Sequence, residues 1–222
     1  MRVTEARRAD WVRLMRLVVI TSAGEDPRRG HEYIALAALR AWCRAVQLRD
    51  KEMSDRDFAE LARRIGVACK RAGALFFVND RVDVAAAVGC DGVHLGVLDL
   101  DVADARGILG PDAIIGYSPE GIGDAVAAVD AGADYLGVGP LFGTPSKADA
   151  GEPIGTEGLS LYCREAPVPV VAVGGVSADS AASAIAAGAV GVAVMSAVGS
   201  APDVEKATRV ILGRLEKVSA AG

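Results

Sequence analysis

Ala131-Gly132-Ala133-Asp134-Tyr135-Leu136 decides the fold, because two variants of it recur: Val88-Gly89-Cys90-Asp91-Gly92-Val93 and Ala187-Gly188-Ala189-Val190-Gly191-Val192. Each copy reads as the end of a helix, a glycine able to close it in a left-handed conformation, a small residue, and the start of an apolar strand. A unit of this kind, repeated at a β/α spacing, is the signature of strands joined through helices in a parallel sheet.

Working outward, short β-type runs begin near Leu17 (LVVIT), Ala45 (AVQL), Leu75 (LFFV), Gly92 (GVHL), Ala113 (AIIG), Tyr135 (YLGV), Val168 (VPVVAV) and Gly191 (GVAVM). Segments of helical period lie between them. Phe58, Leu61, Ala62 and Ile65 form one apolar stripe, and the Ala-rich stretches 124–131 and 180–187 are also helical. Gly73, Gly89, Gly110, Gly132 and Gly188 stand where helices should close. Eight βα units predict an α/β fold, a single (β/α)8 TIM barrel, for which ~250 residues is typical. The rival, an open doubly wound sheet, would call for a GxGxxG after the first strand, and none is present. The reading divides the chain into residues 1–16, an N-terminal extension or short helix, and residues 17–222, the barrel.

The composition agrees with this. Of 222 residues, 51% are hydrophobic but only 5% aromatic, with 26 Gly, so small apolar side chains fill the strands and close helix–strand contacts. Four scattered cysteines and no CxxC argue against a disulfide scaffold and fit reduced thiols in a cytoplasmic protein. A net charge of −5 argues against nucleic acid as a partner, and no apolar run is long enough to span a membrane. Two histidines nearly exclude a multi-histidine metal site. Small-residue helix faces are compatible with assembly into a homo-oligomer.

Chemistry in such a barrel sits at the C-terminal ends of the strands. After strand 2, alternation places Gln47, Arg49 and Lys51 on one side, a set that can grip a di- or triphosphate-type anion or else be charges on an exposed loop. Asn79-Asp80 follows strand 3, and His94 with Asp99 follows strand 4. Asp80 and Asp99 suit Mg2+, which takes one or two carboxylates plus phosphate oxygens, although Asp80 also reads as a helix N-cap. His94 reads as a hydrogen-bonded structural histidine. Ser118 ends strand 5. Strand 6 leads into a long irregular stretch, 142–155, with Thr144, Ser146 and Lys147, a candidate lid over an anion. Gly174-Gly175 after strand 7 and Ser196 after strand 8 match the usual phosphate cradle of this fold. The layout gives two anion sites and one metal site on one face.

The segments VQLRDKE (46–52), FVNDR (77–81), DGVHLG (91–96) with Asp99, GADYLGVGPLFGTPSK (132–147), VAVGGV (171–176) and VAVMS (192–196) together resemble the thiamine phosphate synthase family, in its order and spacing. The resemblance implies a transferase that condenses hydroxymethylpyrimidine pyrophosphate with hydroxyethylthiazole phosphate, releasing pyrophosphate, with Mg2+. It assigns Gln47, Arg49, Lys51 and Asn79 to the pyrimidine pyrophosphate, Asp80 and Asp99 to Mg2+, and Ser118 to a place beside the pyrimidine. Thr144, Ser146 and Lys147 occupy the family's Thr-x-Thr-Lys loop, and Gly175 and Ser196 would cradle the thiazole phosphate. The implied reaction is dissociative, so Arg49, Lys51, Lys147 and Ser118 act without a protein nucleophile. The sequence departs from the family at Val97, usually Gln, at Ser146, at Pro119-Glu120, and in the bulky segment 39–44. A thiazole tautomerase on the same barrel is the nearest rival, and a non-catalytic barrel binding thiazole phosphate or thiamine phosphate is a second. The Pro119-Glu120 pair speaks against the tautomerase, which relies on a histidine there. The intact cation and carboxylate set speaks against the binder.

Overall fold

The computed structural model of the protein describes residues 5–23, 29–143 and 151–219. Eight parallel strands close into a barrel in sequence order: β1 (Leu17–Ile20), β2 (Ala45–Leu48), β3 (Leu75–Asn79), β4 (Gly92–Gly96), β5 (Ile114–Ser118), β6 (Tyr135–Val138), β7 (Val170–Val173) and β8 (Gly191–Val194). Pairing of Val18 with Ala193 seals β1 to β8. Every expected strand is present, and the TIM barrel expectation holds. The helices are α1 (Glu5–Leu14), α2 (His31–Arg40), α3 (Asp55–Ala72), α4 (Val82–Val88), α5 (Val102–Leu109), α6 (Ile122–Ala131), α7 (Gly155–Glu165), α8 (Ala181–Ala186), α9 (Ser196–Gly199) and α10 (Val204–Ser219). No helix among the described residues is long and apolar enough to cross a membrane.

Period-2 alternation sorts the strand side chains into two cores. Outward residues such as Val46, Leu48, Phe76, Val78 and Val93 pack under the buried stripe of α3, which is Phe58, Leu61, Ala62, Ile65 and Cys69. Ser54 caps α3 by accepting from the Asp57 N–H, and Gly73 ends it at φ 63°. Inward residues Val18, Ala45, Leu75, Phe77, Ile114, Tyr135, Val171 and Ala193 fill the barrel, with Trp11 and Met15 from α1 and the turn after it closing its lower end.

The aspartates in the recurring phrase turn out to be structural. Asp91 Oδ2 accepts from the Phe76 N–H at 2.8 Å and Asp134 Oδ2 from the Ile115 N–H at 2.9 Å. Each carboxylate thus satisfies an amide of the preceding strand at the barrel's lower rim. Arg106 neutralises Asp134 at 2.5 Å. The third copy has Val190, and it keeps only the backbone bond, to the Val170 carbonyl, that the other two copies also make to Phe76 and Ile115.

Candidate active site

Tyr135 crosses the barrel interior and sets the floor of the mouth. Gly116 makes room for it, and Gly137 makes room for His94 beside it. A Cβ at Gly116 would lie 2.1 Å from Tyr135 Cζ, and one at Gly137 would lie 2.7 Å from His94 Cε1. His94 bridges the floor to the wall: its Nδ1 lies 2.9 Å from the Tyr135 hydroxyl and its Nε2 lies 2.8 Å from Ser118 Oγ. The expected hydrogen-bonded histidine is therefore present, and it also fixes the Ser118 hydroxyl. Sequence reasoning passed over Tyr135; its inward position followed from alternation with Gly137.

Above this floor, the mouth is lined by Gln47, Arg49, Asn79, His94 and Ser118. These residues lie at or just past the ends of β2, β3, β4 and β5, where alternation points them inward. β2 stops at Leu48, so strand geometry does not carry Lys51 to the same side. Lys51 comes round on the following bend instead, and its Nζ reaches 3.8 Å from Asp80 Oδ2.

Asp80 does not cap α4. The N-cap position is Arg81, whose side chain makes no capping bond. Asp80 itself sits at φ 64°, between an Asn79 carbonyl and an Arg81 N–H that bond across it at 2.8 Å. That is a three-residue turn in a conformation L-residues adopt at a cost, and such strain concentrates at functional positions. Its own N–H donates to the His94 carbonyl at 2.9 Å. Burial, and then the neighbouring Asp99 carboxylate, push the Asp80 carboxyl up to about 6, against the pull of Lys51 and Arg49. Asp99 is aimed by the Gly96 N–H, which its Oδ2 accepts at 2.7 Å. Among the described residues no three His, Cys, Asp or Glu side chains gather as a metal cage. Two facing carboxylates are instead the donor set that Mg2+ uses when phosphate oxygens and water complete its shell.

The opposite rim is made of backbone. Gly174 and Gly175 take φ 83° and 68°, and a Cβ on Gly175 would stand 2.6 Å from the Phe142 carbonyl oxygen. The Phe142 N–H donates to the Gly174 carbonyl, and Ile154 and Gly155 donate to Pro140 and Leu141, so both roots of the 142–155 stretch are pinned to this rim. Ser196 opens the one-turn helix α9 directly after β8. Thr144, Ser146 and Lys147 lie outside the described residues.

Most of the chain is similar to known proteins of one family. Residues 17–198 match the family model TMP-TENI, thiamine monophosphate synthase. The thiamine-phosphate synthase of Roseiflexus sp. is 47% identical over 92% of this chain and 88% of its own length. The bifunctional thiamine biosynthesis protein ThiM/ThiE of Symbiobacterium thermophilum is 54% identical over 82% of this chain, which spans 38% of that longer protein. The solved thiamine phosphate pyrophosphorylase of Pyrococcus furiosus superposes with a TM-score of 0.85 at 39% identity, over 93% of this chain and 98% of that one.

Proposed function

The chain belongs to the thiamine monophosphate synthase family, and on that premise we propose that its barrel mouth joins a pyrimidine pyrophosphate to a thiazole phosphate, giving thiamine phosphate and pyrophosphate. The observation that carries this reading is the meeting of Asp80, Asp99, Lys51 and Arg49 at one edge of the mouth, facing a rim of backbone at Gly174 and Gly175. An enzyme handling a single monophosphate has no use for both.

In this reading Arg49, Lys51, Gln47 and Asn79 hold the pyrophosphate. Asp80 and Asp99 hold Mg2+, which supplies charge to neutralise the departing oxygens. The carbon–oxygen bond to the pyrophosphate breaks with its electron pair leaving on oxygen, and the thiazole nitrogen lone pair then forms the new carbon–nitrogen bond. No proton needs to be removed from an attacking group, so no protein base or nucleophile is required. The two cations lower the cost of the leaving charge, and Lys147 adds a third on the stretch that would close over the mouth. Ser118, held by His94, offers a fixed hydroxyl beside the pyrimidine ring. Gly175 and Ser196 offer backbone and hydroxyl donors to the thiazole phosphate.

The test is product formation. With both phosphorylated substrates and Mg2+, chromatography should show thiamine phosphate and pyrophosphate in equal amounts. Omitting either substrate, or chelating the metal, should abolish both. Folded protein that forms no product at high concentration would refute the reading.

A further inference from the structure

Arg81 stands next to a candidate metal carboxylate, yet its guanidinium is turned away from the mouth. Its Nη2 donates to the Met53 carbonyl at 2.6 Å and to the Asp50 carbonyl at 3.4 Å. Its Nη1 pairs with Asp55 at 3.0 Å, and its Cζ lies 4.4 Å from the centre of the Phe58 ring. The side chain is only 18% exposed. With these donors used and its cationic face against an aromatic ring, Arg81 is not a third cation for the anion. It is a tie between the β3–α4 turn and the loop that carries Arg49 and Lys51.

That loop needs a tie. β2 ends at Leu48 and α3 begins at Asp55, so residues 49–54 are held by neither element. From below, the Asp50 carboxylate accepts from the Glu52 and Met53 N–H groups at 2.8 Å each, and lies 2.9 Å from His31 Nε2. Thr21 Oγ1 in turn fixes the other ring nitrogen of His31 at 2.8 Å. Burial opposes the Asp50 charge, but the two amides and His31 outweigh it and hold the carboxyl below its ordinary range. From the β3 side, the tie is the Arg81 guanidinium. Arg81 also closes the strained turn at Asp80 by giving its own N–H to Asn79. Such a turn persists only where its surroundings over-determine it.

We propose that Arg81 is a positioning residue: it locks the Arg49–Lys51 loop and the Asp80 turn into one rigid unit, so that cations and carboxylate meet the pyrophosphate already spaced. This rests on the proposed function, because it assumes that this edge binds pyrophosphate. Freed of the tie, the loop would have to be ordered by the ligand itself, and affinity would fall by the cost of that ordering.

The experiment measures Mg2+-dependent binding of inorganic pyrophosphate by calorimetry, and KM for each substrate, in wild type, Arg81→Met, Arg81→Lys and Asp55→Asn. Arg81→Met should weaken pyrophosphate binding about tenfold, the scale typical of lost supporting contacts, and raise KM for the pyrimidine substrate in parallel. KM for the thiazole phosphate should stay within about twofold, since that anion meets the opposite rim. Arg81→Lys should fall between, because a single ammonium cannot serve both carbonyls. Asp55→Asn should match wild type, since its exposed ion pair contributes little. Arg81→Met with wild-type pyrophosphate affinity, or with both KM values raised equally, overturns the proposal. If Arg81→Met does not fold, Arg81→Lys decides: unchanged pyrophosphate affinity there overturns it too. Wild type that fails to bind pyrophosphate with Mg2+ refutes the underlying functional reading, and the positioning role with it.

Discussion

The two rims of the barrel mouth are built from different materials. The β2–β4 rim is a set of charged side chains: Arg49, Lys51, Asp80 and Asp99, held by one another and by a strained turn. The β7–β8 rim is backbone, with two glycines at positive φ and a one-turn helix opened by Ser196. A side-chain rim concentrates charge, which suits a pyrophosphate that must carry away a full electron pair. A backbone rim offers neutral donors, which suits a phosphate that is held and never cleaved. The first is sensitive to loss of single charges, the second to the gain of single methyl groups.

The largest expected effect is at Asp80. Asp80→Asn should lower kcat by at least about 100-fold, the scale of losing one preorganised electrostatic group. It should not unfold the protein, because Asp80 does not cap α4. A variant that loses its fold instead would show that Asp80 serves the structure. The sign of the stability change is also fixed. Asp80 is raised to about 6 from 3.8, so between those values the folded chain holds more protons than the unfolded one. Stability from this group is therefore lost as pH rises from about 4 to about 6. Metal-free Asp80→Asn should lose this pH dependence and unfold at a higher urea concentration than wild type at pH 7. Equal midpoints would contradict the burial cost and the Asp99 repulsion that raise the Asp80 carboxyl.

Next in size is Gly175→Ala. The added Cβ would meet the Phe142 carbonyl oxygen, and alanine at φ 68° costs about 1–2 kcal/mol. Relieving that strain moves the rim's N–H groups off the phosphate, so KM for the thiazole phosphate should rise about tenfold, the scale of one lost hydrogen bond to a charged group. Pyrophosphate binding should be preserved; its loss would merge the two rims into one site. Lys147→Ala, outside the described residues, should slow turnover while leaving Mg2+ binding at the β2–β4 rim intact. A near-wild-type rate would remove that stretch from the chemistry. The smallest effect is at Ser118→Ala, which removes one hydroxyl held by His94 and should cost about 1 kcal/mol, read as a several-fold drop in kcat/KM. A far larger loss would mean that Ser118 does more than hold the pyrimidine in place.

The β2–β4 rim was also the more legible in sequence. Alternation past β2 set Gln47 and Arg49 on one side, because period 2 is a property of the backbone and not of context, while Asn79, His94 and Ser118 were marked by their places at the C-terminal parts of β3, β4 and β5. Glycine just past a helical run marked the helix ends for a similar reason. What escaped the sequence depends on contacts between distant segments. Nothing local to Tyr135 tells that Gly116 makes space for it, although that glycine was visible as a missing side chain on the neighbouring strand. Lys51 reaches Asp80 through a bend and not through the strand register that first suggested its side. Asp80 fits an N-cap by residue type, but α4 starts one residue later, with Arg81 at the cap, and Asp80 takes a positive φ in the turn before it. His31, Asp50 and Arg81 look like ordinary surface charges until the loop between β2 and α3 is folded over them.

The central claim, that one rim of side chains binds pyrophosphate with Mg2+ while one rim of backbone binds a phosphate monoester, comes down to a crossed titration. Inorganic pyrophosphate and the thiazole phosphate are each titrated, with and without Mg2+, into wild type, Asp80→Asn and Gly175→Ala. Pyrophosphate binding should require Mg2+, vanish in Asp80→Asn and survive in Gly175→Ala, while thiazole phosphate binding should show the reverse dependence on the two substitutions. Loss of both ligands in both variants, or pyrophosphate binding indifferent to Mg2+ and to Asp80, would contradict the account.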